Sequence, residues 1–224
     1  MPKINFSDQE KETIRQAVRE AESKTSGEIA TAFIKESDNY AVFELLFALF
    51  IGFGYFITLM FFSGAIEASL QKMTWDYTSR NLLMFYGFST FLVIALAYLV
   101  ANFPFIDRLI VPKRIMLEKV NQRAVRHFME SGVYRTKDRT GILIFISSLE
   151  RRVELLADQG ISEKIPQEKW NSIVQHIIDG IRSHQLTRHL ADAINECGTL
   201  LAEHFPIQPD DINELKDDIR ILEK

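Results

Sequence analysis

Two stretches of this chain go without charge for longer than a helix in water tolerates. Leu45 to Ile66 runs for 22 positions, and Asn81 to Ile106 for 26 positions, without a single Asp, Glu, Lys or Arg. At about 1.5 Å per residue either run, coiled as a helix, covers the roughly 30 Å hydrocarbon core of a bilayer. A core helix of a globular protein keeps one face for water, and neither run has such a face. A secretory signal would open near Met1 with a basic patch and a short apolar segment, whereas residues 1–35 are charged throughout. The expectation is a transmembrane hairpin, with spans at 41–66 and 81–106 and an extracytoplasmic turn at 67–80.

Whole-chain composition hides this. The 224 residues are 47% apolar and 25% charged, values that look globular because two oily runs are averaged with charged flanks. A net charge of −4 gives no reason to expect nucleic acid as a partner. The one cysteine, Cys197, excludes an intramolecular disulfide framework and fits a reducing compartment.

Basic residues set the orientation. Arg108, Lys113, Arg114, Lys119, Arg123 and Arg126 follow the second run closely, while the turn holds only Lys72 and Arg80. Such an excess stays in the cytoplasm. Two spans return the chain to its starting side, so both termini are expected there. Trp75 and Tyr77 in the turn and Tyr40 before the first span suit the headgroup level, and Glu44 can reach the interface.

The flanks read as soluble structure. Ser7 with Glu10 is a capping-box pattern, and Ile14, Val18 and Ala21 recur at helical spacing, predicting a helix over about 8–24 that Gly27 breaks. Glu28 to Ile34 reads as a strand. After the second run, Pro112 opens a helix whose Leu117, Val120, Ala124 and Phe128 form an apolar stripe. Its basic face, Lys119, Arg123 and Arg126, is read as solvated and orienting, with anionic lipid as the alternative at about 1 kcal/mol per charge. Gly132 ends that helix. The unbroken apolar run Ile142 to Ile146 marks a strand covered on both faces. Val153 to Ala157 pairs back, its Glu154 placing it nearer an edge. A helix opened by Pro166 presents Trp170, Ile173, Val174, Ile177, Ile178 and Ile181, and another runs over about 187–204. The end is acidic, with Asp210, Asp211, Asp217 and Asp218, and is expected to be loosely ordered.

One strand before the hairpin cannot satisfy its own backbone, so it must pair with the strands from Gly141 onward. The fold class is therefore α/β: a small sheet of three to four strands sandwiched by helices and interrupted by a two-helix transmembrane hairpin. Residues 1–40 supply the first helix and strand, 107–206 the remainder, and 207–224 an acidic tail. Residues 38–44 leave no long linker, so the domain is expected close to the membrane.

"SGEI", "SDNY", "RTGILIFISSLERRVELLADQGI", "PQEKW", "CGTLLAEHFP" and the later "NEL" together resemble the TPM-domain family, in its bacterial, membrane-embedded branch with two spans inside the domain. The resemblance covers nearly all of the chain outside the spans and tail. It implies a sheet between helix layers and a bacterial inner-membrane location. Other branches include a thylakoid-lumen protein linked to photosystem II repair and described as an acid phosphatase, a nematode receptor auxiliary subunit, and secreted bacterial proteins, some of which bind calcium. Most of those domains lie outside the cytoplasm, unlike the placement that the basic residues give here.

The residues test that phosphatase chemistry directly. A cysteine phosphatase needs an arginine six residues after its thiolate, and Cys197 is followed there by Glu203. The Asp138 to Gly141 sequence "DRTG" superficially resembles the phosphorylated-aspartate motif of haloacid-dehalogenase-type enzymes, but the strand follows it instead of preceding it. A phosphate loop ending in lysine is absent. Three aspartates remain, Asp38, Asp138 and Asp158, each beside a strand end. Converging oxygens from three such loops would suit Ca²⁺, which takes six to eight of them. The plainer reading is that Asp138 caps a turn with Thr140 and Asp158 shapes the turn into Gly160.

His127, His176, His184, His189 and His204 show no zinc spacing and are assigned surface or helix-end roles. Glu150, Arg151 and Arg152 crowd a hairpin turn and are read as a solvated tip, the arginines alternatively meeting phosphate or an acidic partner. Gly52, Gly54 and Gly87 permit close helix packing and with it self-association. Two functions from different classes survive: a non-enzymatic accessory of membrane protein complexes, whose partners are the bilayer and a membrane protein, and a divalent-metal-dependent phosphatase.

Overall fold

A computed structural model describes residues 6–209 and 211–223, which leaves Asp210 outside the described residues. The elements are α1 (Asp8–Glu22), β1 (Glu28–Ile34), α2 (Ala41–Phe61), α3 (Ser63–Met73), α4 (Ser79–Ala101), α5 (Pro104–Ile110), α6 (Lys113–Ser131), a 3₁₀ turn (Val133–Arg135), β2 (Gly141–Ser147), β3 (Arg152–Ala157), α7 (Gln159–Ser162), α8 (Gln167–Ser183), α9 (Leu186–His204) and β4 (Arg220–Leu222). They divide into two units. One comprises Asn39–Lys113; the other joins the chain up to Asp38 with Arg114 onward.

The second unit is built on a sheet of order β3-β2-β1-β4. β1 runs parallel to both β2 and β4, while β2 and β3 form an antiparallel hairpin. Parallel neighbours need a crossover, and the β1-to-β2 crossover contains the whole of the other unit as well as α6. Alternation along the strands sorts the core into two layers. Ile29 and Phe33 of β1 and Ile142, Ile144 and Ile146 of β2 join α1, α8 and α9 in the larger cluster, whose helical share includes Ile14, Val18, Trp170, Ile177, Leu190 and Leu201. Ala32, Ile34, Leu143 and Phe145 point the other way, onto Val120 and Ala124 of α6 and onto Val133. Every residue of β2 is buried, as its unbroken apolar run predicts.

α1 begins as predicted: the Ser7 hydroxyl accepts from the Glu10 N–H, and the Glu10 carboxylate accepts from the Ser7 N–H at 2.8 Å. Gly27 sits tight against Leu201, where a β-carbon would crowd that side chain. Gly132, at φ 81°, takes the left-handed conformation that ends α6.

The chain's end departs from the expectation of a loose tail. β4 adds a fourth strand beside β1, and Leu222 packs on the α6-side core. Charge positions it: Arg19 Nε donates to Asp217 at 2.7 Å and Arg15 Nε to Asp218 at 2.5 Å. Acidic composition read as loose order because the basic partners lie some 200 residues away on α1.

In the other unit α2 and α4 pack as a pair. Gly52 lets Ile94 approach where a β-carbon would collide, the Tyr86 hydroxyl donates to the Leu59 carbonyl at 3.0 Å, and Phe56 meets Tyr86 edge-on at 6.4 Å. Gly54 and Gly87 have open space around them instead of a packing neighbour. Both helices are long and apolar enough to cross a membrane. Their outer faces are bare: Phe50, Phe53, Phe88 and Phe91 are each about two-thirds or more exposed. Two boundaries differ from the sequence reading. α2 stops at Phe61, where the Ser63-Gly64 pair starts a separate helix, so much of the expected turn is helical. α4 stops at Ala101, with the Asn102 side-chain amide donating back to the Tyr98 carbonyl at 2.8 Å and Pro104 opening α5.

Candidate functional site

The sheet does not bring the three candidate aspartates together. β1 and β2 run in parallel register from Glu28 opposite Gly141 to Ile34 opposite Ser147. Asp38, past the end of β1, is thus at one end of the sheet, and Asp138, just before β2, is at the other. β3 runs back, pairing Ala157 with Ile142, which puts Asp158 at the Asp138 end. Seven strand residues at about 3.3 Å each separate the two ends by roughly 20 Å. The expectation that Asp38, Asp138 and Asp158 share one cation is corrected accordingly: at most the last two belong to one site. Sequence spacing could not reveal this, since a parallel and an antiparallel partner for β1 place Asp38 at opposite ends.

At the Asp38 end the turns are locked by polar contacts. Asp38 accepts from Lys119 of α6 at 2.6 Å, and Arg123 and Arg126 both reach Glu130. The basic face of α6 is therefore largely engaged within the protein. Glu150, expected at a solvated tip, is 7% exposed. Its carboxylate accepts from the Ser37 N–H at 2.9 Å and from the Ser147 hydroxyl, while the Ser37 hydroxyl donates to Ser147 Oγ at 2.8 Å. This stitches the β2–β3 turn to the end of β1. The adjacent Arg151 takes a left-handed φ of 50°.

The opposite end opens into a cleft of about 440 Å³ lined by Ser26, Lys137, Asp138, Asp211, Asn213 and Glu214, among others. Asp138, Asp211 and Glu214 give it an acidic lining, and backbone N–H groups hold Glu214 and the neighbouring Glu28 in place. The Lys137 N–H is shared between both oxygens of Glu214 at 3.0 and 3.1 Å, and Glu28 accepts from the N–H groups of Glu214 at 3.2 Å and Leu215 at 3.0 Å. Nearby, Glu22 accepts from the Ile29 N–H at 2.8 Å through one oxygen, while its other oxygen is buried without a hydrogen-bond partner. Burial pushes the Glu22 carboxyl up to about 8, with the charges of Glu28, Asp217 and Asp211 adding to the rise against the Ile29 hydrogen bond. Glu28 is raised for the same leading reason, its burial, against the two backbone donors.

Asp138 lines this cleft, but the turn hydrogen bond that sequence assigned to it belongs to Thr136, whose hydroxyl accepts from the Thr140 N–H at 3.0 Å. Asp158 does cap its turn, accepting from the Gln159 N–H at 2.6 Å, and its second oxygen is buried with no hydrogen-bond partner. Gly160 lies against the Asp138 and Arg139 backbone, where a β-carbon would not fit, so these two loops are neighbours. Among the described residues no group of three or more His, Cys, Asp or Glu has the geometry to hold a metal ion.

Sequence reasoning passed over Glu22, Glu28 and Glu214. Glu22 reads as an ordinary helix end; Glu28, a carboxylate opening a mostly apolar strand, was the available signal. The histidines also differ from expectation. His127 is buried, 6.3 Å from Phe145 between ring centres, and burial lowers its pKa. His189 contacts His176 across the α8–α9 packing, 4.6 Å between rings, with Nδ1 of His189 3.1 Å from the His176 carbonyl. His184 and His204 do occupy helix ends, as read. Cys197 is wholly buried, and that burial pushes its thiol up to about 12, which leaves no nucleophilic thiolate near neutrality.

Residues 109–200, from the end of α5 to within α9, match the family model described as the TPM domain. The chain contains a TPM domain. The match leaves out α1 and β1, yet β1 lies between β2 and β4, so the folded TPM domain is completed by residues that precede the apolar insertion. Among solved structures, the chain is similar to the BA42 protein of the psychrophilic bacterium Bizionia argentinensis, determined by NMR. The two are 20% identical, with 99% of this chain and 100% of that chain covered and a TM-score of 0.58. At that identity the likeness concerns the fold of the TPM domain. No curated protein matches the chain.

Proposed function

We propose that this is an integral membrane protein in which a cytoplasmic TPM domain, carried by a two-span hairpin in a bacterial inner membrane, serves as a non-enzymatic accessory to membrane protein complexes. The observation that carries the membrane part is the bareness of α4: none of its most apolar 18-residue window is buried by protein. In water such a surface, far larger than the few hundred Å² a soluble monomer exposes, drives association; in hydrocarbon it costs nothing. Pairing of β1 with β2 across the insertion supports an even number of crossings, since both strands must finish in one compartment. The basic residues after α4 favour the cytoplasm for that compartment.

The accessory part rests on the character of the cleft. Among the described residues three carboxylates, Asp138, Asp211 and Glu214, line it against the single cation Lys137, and such an acidic surface repels the phosphate of an ester substrate. Affinity capture in mild detergent tests it: a defined set of membrane proteins should accompany the native chain and be lost when the hairpin is exchanged for an unrelated two-span hairpin. An unchanged set would assign recruitment to the TPM domain alone, and an empty set would remove the accessory reading. Outward-facing Gly54 and Gly87 keep a second copy among the candidate partners.

A second reading, a divalent-metal-dependent phosphatase, draws on the unpartnered buried oxygen of Asp158 beside the loop of Asp138. Ca²⁺ would then raise the melting temperature, and Asp138→Asn with Asp158→Asn would abolish the rise. Phosphate release from generic esters no greater than that double variant's removes the enzyme.

A further inference from the structure

The sequence reading carries the second span through Ile106, but the chain breaks at Asn102–Phe103 and starts a new helix at Pro104. α5 is two turns long and amphipathic. Phe105 and Leu109, four apart and so on one face, are 68% and 75% exposed, and Phe103 just before them is 63% exposed. Asp107, on the opposite side, is buried. Exposed phenylalanine and leucine here have no use in water. They are also too few to cross anything: seven residues span only about 10 Å.

Resting on the membrane reading above, we infer that α5 is an interfacial anchor lying in the headgroup and acyl-boundary layer of the leaflet that α4 leaves, and that its ligand is the anionic phospholipid surface. Chain length fixes its depth. Three residues from Ala101 to Pro104 reach at most about 11 Å, so α5 begins within the interfacial layer wherever α4 exits the hydrocarbon. α5 contacts both α2 and α4 in the same unit. Its apolar side matches the 5–10 Å depth at which such helices typically bury. Lys113 and Arg114, both exposed, follow within four residues and complement anionic headgroups at about 1 kcal/mol each. The basic face of α6, engaged with Asp38 and Glu130, is not needed for this contact.

Depth-resolved quenching of the full chain in liposomes tests it. Cys197 is buried, so a fluorophore attached at Phe91→Cys, Phe105→Cys or Leu109→Cys reports one position at a time. With nitroxides carried at the headgroup, at the fifth and at the twelfth acyl carbon, the Phe91 label should be quenched most by the deep probe. The Phe105 and Leu109 labels should be quenched at least threefold more by the shallow probes than by the deep one. Anionic lipid should strengthen quenching at Leu109, and Lys113→Glu with Arg114→Glu should remove that gain. An unquenched Phe91 label overturns the membrane reading itself. A quenched Phe91 with unquenched Phe105 and Leu109 overturns only the interfacial anchor and assigns their cover to water or protein. Deep quenching at Phe105 and Leu109 makes α5 part of the span and equally overturns it; indifference to anionic lipid overturns the choice of ligand.

Discussion

β2 and α4 are both apolar without period, and the molecule treats them oppositely. All seven residues of β2 are buried, held between β1 and β3 and covered by helices on both faces. α4, three times as long, has Ala101 as its one buried residue. An unbroken apolar run says only that its side chains avoid water; its length bears on whether protein alone can cover it. A strand of seven residues fits inside a domain of this size, whereas a 23-residue helix without a polar face would need a protein layer on every side.

Substitutions at matched residue types probe that contrast. Phe145, fully buried against α6, should cost about 3–5 kcal/mol on truncation to alanine, read as a lower denaturant midpoint for the TPM domain in detergent. Leu92→Arg, near the middle of α4, should impose about 2.5–3.5 kcal/mol on insertion, read as a smaller inserted fraction in a translocation assay while the domain's own melting stays unchanged. If the Leu92 change melted the domain instead, α4 would be a core helix.

The third prediction concerns pH. Glu22 has its folded pKa raised to about 8 from an ordinary 4.5, so between those values the native state holds a proton that the unfolded chain has released. Stability therefore falls as pH rises through that window. Glu28 and Glu154, also raised by burial, add to the slope, while Glu10, Glu130 and Asp217, all lowered, act in the other direction at acid pH. Glu22→Gln should flatten the decline in melting temperature from pH 5 to 9 and melt higher than the native chain at pH 9. An unchanged slope would place the Glu22 carboxyl in water.

Smaller effects follow. Arg19→Ala removes an ion pair whose arginine is 64% exposed, worth below about 1 kcal/mol, and should show mainly as faster amide exchange at β4. Phe91→Ala, from a residue 73% exposed, should leave the domain's melting within about 0.5 kcal/mol. A large loss there would mean that α4 is packed against protein.

Most of the fold could be read from local pattern. The capping box of α1, the apolar runs of β1 and β2, Glu154 at the edge strand and Pro166 at the head of α8 each encode their element within a few residues. What escaped depends on contacts distant in sequence. β4 requires Arg15 and Arg19 of α1 to offset Asp217 and Asp218, and the buried Glu150 takes one of its donors from the backbone of Ser37, over a hundred residues earlier. The candidate site was half legible: Asp138 and Asp158 do share an end of the sheet, while Asp38 was misplaced by ignorance of strand direction. Glu22 and Glu28 carry burial, which no spacing rule announces.

Alkaline carbonate washing of membranes from cells producing the full chain tests the central claim most directly, because it strips proteins held by charge or by other proteins and leaves those that cross lipid. The chain should stay wholly in the pellet at high pH and leave it only with detergent. Quantitative release into the carbonate supernatant would contradict a lipid environment for α2 and α4.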